Sequence, residues 1–146
     1  MSVLTVLRDT ARPRFLLLTV VCLLLGVATT WAGRVDYDGL LLGKVLLGGL
    51  CAHISVNMLN EYADFRSGLD ATTHRTPFSG GSGALPAQPK WAPAVLLAGL
   101  VALAVTLAVG WELIQLRGTL MLGIGLAGCR FSRARLRRRR SSARLW

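Results

Sequence analysis

Three apolar runs constrain this chain more than any other feature. Residues 15–33 and 91–110 contain no charged side chain, and residues 39–59 contain one, Lys44. A hydrocarbon core about 30 Å thick needs roughly 20 apolar residues in a helix, so each run is long enough to cross. A fourth run, residues 118–129, stops at arginines after about 12 residues, too short to cross by the same rule. The expected fold is an all-α, polytopic transmembrane helix bundle with three helices and an incomplete fourth. Composition agrees: 53% of the 146 residues are hydrophobic and 16% charged. That excludes a disordered chain and falls short of the quarter charged that soluble domains carry.

Local features fit retained spans. Lys44 sits near the outer start of its helix, where its stem can carry the ammonium to the interface. Arg8, Arg12 and Arg14 precede the first run as the basic region of a signal peptide would. The run is long, however, and no small-x-small cleavage site follows it, which favours a retained anchor. Cys22, Cys51 and Cys129 lie in apolar stretches without metal-ligand spacing and read as small buried hydrophobes.

The net charge of +10 divides unevenly. Residues 130–146 hold eight arginines and no acid, which leaves nine Lys/Arg against seven Asp/Glu in the rest of the chain. By the positive-inside rule, Arg8, Arg12 and Arg14 place the N-terminus in the cytoplasm. The loop with Asp36 and Asp38 falls outside, and the loop with Arg66, Arg75 and Lys90 inside. The expected location is the inner (plasma) membrane, with the lipid bilayer as the main partner.

The second run ends in a polar segment. Asn57, Glu61 and Asp64 are spaced by four and then three residues, which sets them on one helical face, and Asn60 lies four residues before Asp64. Polar groups stacked at the end of a membrane helix are costly unless partnered. Oxygen donors of this kind suit Mg²⁺, which keeps several waters and bridges carboxylates to phosphate. Gly68 is expected to stop the helix, and Asp70 to fold back toward the same ion. Arg66, His74 and Arg75 supply cations that suit a diphosphate, arginine being the fork-shaped donor. Residues 78–83, Phe-Ser-Gly-Gly-Ser-Gly, suit backbone nests for phosphate. The alternatives are a solvated loop, cations present only for topology, and a glycine linker.

At these residues the chain resembles the UbiA superfamily of intramembrane prenyltransferases. Asn60-Glu61-Tyr62-Ala63-Asp64 stands where that family's first aspartate-rich motif reads Asn-Asp-x-x-Asp, with Asp70 six residues later. The longer spacing, Gly68 before it, and the run from Arg75 to Leu85 are most similar to the menaquinone branch, the 1,4-dihydroxy-2-naphthoate polyprenyltransferases. The resemblance spans roughly residues 10–128, treated as one domain portion (1–128) followed by an arginine-rich tail (129–146). Glu61 departs from the usual aspartate by one methylene. The family's second acidic motif and further helices have no counterpart here, so by resemblance the chain carries half of a site.

The resemblance implies transfer of an isoprenyl group from a polyprenyl diphosphate to an aromatic acceptor in quinone or lipid biosynthesis. Mg²⁺ withdraws charge from the diphosphate. Asp64, Asn60 and Glu61 would be the catalytic set, and Asn60, Glu61, Asp64 and Asp70 the metal ligands. Arg66, Arg75 and Asn57 would hold the diphosphate; a separate chain is one source of the missing half. The alternative is a small non-catalytic membrane protein whose acidic loop binds a divalent ion or a partner chain.

Residues 129–146 change character abruptly. A basic anchor for anionic lipid, a nucleic-acid arm and a slipped reading frame near residue 128 compete as readings. No nucleic-acid partner is expected of a membrane chain. The break inside an unfinished apolar run favours the slipped frame, since arginine, alanine and serine dominate out-of-frame translation of GC-rich DNA.

Overall fold

The computed structural model describes residues 1–34, 36, 38–69, 81–123 and 126. Most of the described residues are helical, and no strand occurs among them. The elements are α1 (Val3–Ala11), α2 (Pro13–Ala32), α3 (Gly39–Ser67), the short α4 (Ala84–Ala87), a 3₁₀ turn (Pro89–Trp91) and α5 (Ala92–Arg117). Among the described residues, three segments are long and apolar enough to cross a membrane: Pro13–Ala32, Gly39–Ser67 and Pro89–Arg117. They match the three expected runs.

The helix boundaries follow local chemistry. The Ser2 side chain accepts from the Thr5 amide and caps α1. Arg12 ends it in a left-handed conformation, φ 54°. Pro13 follows as the first residue of α2. A proline disfavours helical backbone in the residue before it and suits a helix start, so the chain turns at Arg12. The Asp38 carboxylate accepts from the Leu40 amide at 2.8 Å and starts α3. Gly68, at φ 74°, stops it where the sequence places the stop.

α1 precedes the first apolar run, where the basic residues serve as topology signals. Val3, Val6, Leu7 and Thr10 form an i, i+3, i+4, i+7 stripe. Val6 and Thr10 on that stripe are fully buried.

The spans differ in length. α2 has 20 residues, about 30 Å, and α3 has 29, about 44 Å. α3 is therefore longer than a bilayer core is thick, and its polar last turns extend beyond its apolar part.

The chain divides into two units, Met1–Val109 and Gly110–Trp146. In the first, the core gathers at one end, where Val6, Met58, Ala84, Leu85, Ala92 and Val95 pack together. Ile54, Tyr62, Phe65 and Trp91 lie against this cluster. Along the spans the packing is different. α2 has no buried residue, and Cys22 is exposed on it rather than buried. Helices approach through glycines: a Cβ on Gly48 would stand 2.9 Å from Val109, and one on Gly99 3.1 Å from Leu59. Small residues of this kind let membrane helices pack closely without a hydrophobic driving force.

In the second unit, Gly118 (φ 73°) ends α5 and residues 119–123 are helical. Cys129 and the arginine tail lie outside the described residues.

Candidate functional site

The polar residues converge where α1 meets the last turns of α3. Asn57 Nδ2 donates to the Ala11 carbonyl at 2.9 Å. That carbonyl belongs to the last turn of α1, where intrahelical donors run out. Asn57 is thus spent on capping a neighbouring helix.

One turn on, Glu61 is fully buried. Arg12 donates to its Oε2 from Nη2 at 2.7 Å and from Nε at 3.2 Å. The Ser82 amide donates to both carboxylate oxygens, at 2.8 and 3.1 Å, and the Ser82 hydroxyl to Oε1 at 2.5 Å. A carboxylate offers about four lone-pair directions, and these donors occupy them. A buried charge is tolerable only when paired and hydrogen-bonded in this way.

Ser82 is aimed by its neighbours. Gly81 and Gly83 both adopt positive φ, 77° and 75°, a conformation cheap only for glycine. Ser82 Oγ also accepts from the Ala84 amide at 3.1 Å, tying the turn to α4. Residues 78–83 suit either a phosphate nest or a glycine linker by sequence; 78–80 lie outside the described residues. The anion that the Ser82 amide meets is the chain's own Glu61.

The other expected ligands are placed differently. Asn60 is exposed, and Asp64 is half-buried in the last turn of α3. Among the described residues, no group donates to the Asp64 carboxylate. A helix C-terminus carries partial negative charge, so this carboxylate stands where the backbone repels it and where a cation is favoured. Arg66 follows, exposed, in the same turn. Asp70, His74 and Arg75 lie outside the described residues. Among the described residues no three acidic, histidine or cysteine side chains converge as metal ligands. Asn60 and Asp64, four residues apart, are the expected metal ligands on α3 whose oxygens no described residue engages; the Glu61 oxygens are filled by Arg12 and Ser82, and Asn57 gives its amide nitrogen to the Ala11 carbonyl.

Sequence reasoning missed two participants. Arg12 read as a topology signal, yet it neutralises Glu61 across 49 residues of chain. His53, deep in α3, hydrogen-bonds Thr19 of α2 through Nδ1. A histidine well inside an apolar run is itself a signal, because it needs a partner there. Comparison with protein-family models, curated proteins and solved structures finds no match to this chain.

Proposed function

We propose that this chain is the N-terminal part of a Mg²⁺-dependent membrane prenyltransferase site, acting on a polyprenyl diphosphate and an aromatic acceptor of quinone or lipid biosynthesis. The observation that carries the reading is Asp64: a half-buried carboxylate in the last turn of a membrane helix, with Asn60 one turn before it and Arg66 in the same turn. The donors fit a hydrated magnesium ion, which takes one or two carboxylates and keeps most of its waters. Asn60 and Asp64 would hold it, with Asp70 by resemblance; Glu61 would not, since its oxygens are filled. Bound there, the ion would supply charge withdrawal from the diphosphate. Arg66, and Arg75 by resemblance, would neutralise phosphate charge. The positive-inside rule sets this end of the bundle in the cytoplasm of an inner membrane.

The test is farnesyl diphosphate binding to the detergent-solubilised protein, with and without Mg²⁺. Wild-type binding should require Mg²⁺, and Asp64→Asn should weaken it about tenfold or more, the loss of one charge-assisted contact. Equal affinity in wild type and Asp64→Asn sinks the proposal.

A second reading, a non-catalytic membrane protein, is favoured by one observation: the Asn57 amide nitrogen and the Glu61 carboxylate are spent on packing. It predicts no Mg²⁺-dependent diphosphate binding at all.

A further inference from the structure

The geometry points to a latch: Arg12, 49 residues before Glu61, and Ser82, 21 residues after it, grip its carboxylate and so pin the turn before α4 onto α3. They are positioning residues for the end of α3. Glu61 lies two turns before Gly68, where α3 stops, and Ser82 lies just before α4. The carboxylate therefore joins the two ends of the polar segment. Arg12 adds the N-terminal α1–α2 junction to the same point.

Three features argue that this is a built junction rather than a chance ion pair. Glu61 is fully buried and the Arg12 side chain is only 24% exposed, so the pair is poorly screened by water and salt. Arg12 occupies a left-handed backbone conformation that disfavours residues with a Cβ; a strained residue persists where its surroundings over-determine it. Ser82 is framed by two left-handed glycines that present its amide and hydroxyl to one carboxylate.

The latch is anion-specific, which separates it from a simple salt bridge. Ser82 presents two donors, so position 61 must carry an acceptor. Exchanging the charges, as in Arg12→Glu with Glu61→Arg, would rebuild an ion pair but set a guanidinium against the Ser82 amide. The consequence for Asp64 rests on the prenyltransferase reading: one turn beyond Glu61, it is held in place by the same contacts.

The experiment is amide hydrogen exchange of the full chain in detergent micelles, followed in the peptide containing Ser82 to Leu85. Glu61→Gln and Arg12→Gln should speed exchange there at least tenfold, and the double charge exchange should be no slower than either single variant. Ser82→Ala keeps the ion pair and removes only the hydroxyl; it should also speed exchange, and it carries the test if the charge variants do not fold. Unchanged exchange in the variants that fold overturns the latch, as does recovery of wild-type exchange in the double variant. Farnesyl diphosphate binding with Mg²⁺ is measured alongside, and Arg12→Gln should weaken it. Failure of the wild type to bind would remove the prenyltransferase reading, while the exchange rates still decide the latch.

Discussion

The two ends of α3 are built by different rules. At its polar end, α1, α4 and the first turn of α5 enclose a small core, with Leu85 and Val95 fully buried beside an ion pair. Along its apolar stretch, α3 meets α2 and α5 through Gly49, Gly48 and Gly99, while large hydrophobics such as Leu17, Leu24 and Leu97 face outward. The first region resembles a soluble protein, where water drives apolar groups together. In the second, lipid is as apolar as leucine, so only close shape and scarce polar pairs hold helices together.

The largest expected effect breaks the polar end. Glu61→Gln leaves Arg12 without its counter-charge and turns an amide N–H toward the Ser82 donors. Losing one partner of a buried pair costs about 3–5 kcal/mol. An unfolding titration in mixed micelles should register that loss, whereas Asn60→Ala, exposed one residue away, should stay within about 0.5 kcal/mol. Equal effects would mean that burial at this end carries no weight.

Next is a pair of leucine truncations. Leu85 is 0% exposed and Leu97 is 64% exposed. Leu85→Ala should cost about 2–5 kcal/mol by leaving a cavity. Leu97→Ala, facing outward, should cost far less in the same titration, because lipid or detergent fills the space. A reversed order would place the packed core elsewhere.

The glycines give a smaller contrast. Gly48→Leu drives side-chain atoms into Val109, and overpacking costs about 1–3 kcal/mol. A Cβ added at Gly26 meets nothing within 4 Å, so Gly26→Ala should gain about 0.5–1 kcal/mol of helix stability. Thermal unfolding of the two variants checks the sign of each.

The smallest effect concerns the Thr19–His53 pair. Interhelical hydrogen bonds in membranes average about 0.6 kcal/mol, so Thr19→Val should shift the titration only slightly. A loss several times larger would show that the pair does more than join α2 to α3.

Much of this architecture is legible in residue order. Uninterrupted apolar length names the spans, Gly68 marks the stop of α3, and the oxygen-bearing residues announce a polar helix end. α1 is legible too, in the stripe of Val3, Val6, Leu7 and Thr10, although the arginines around it also serve as topology signals. The spacing of Asn57, Glu61 and Asp64 puts them along one side of a helix. It does not say which of them meets solvent.

That division depends on long-range contact. Asn57 and Glu61 face the α1–α2 junction and become structural, while Asp64, a turn further, extends past it. Arg12 and Ser82 lie far apart in the chain, and nothing in the local sequence of either names the other. Hydropathy and helix-ending residues act over a few neighbours and are readable from the chain alone. Which charge neutralises which is settled by burial, because a desolvated carboxylate takes whatever donors the folded backbone brings within reach.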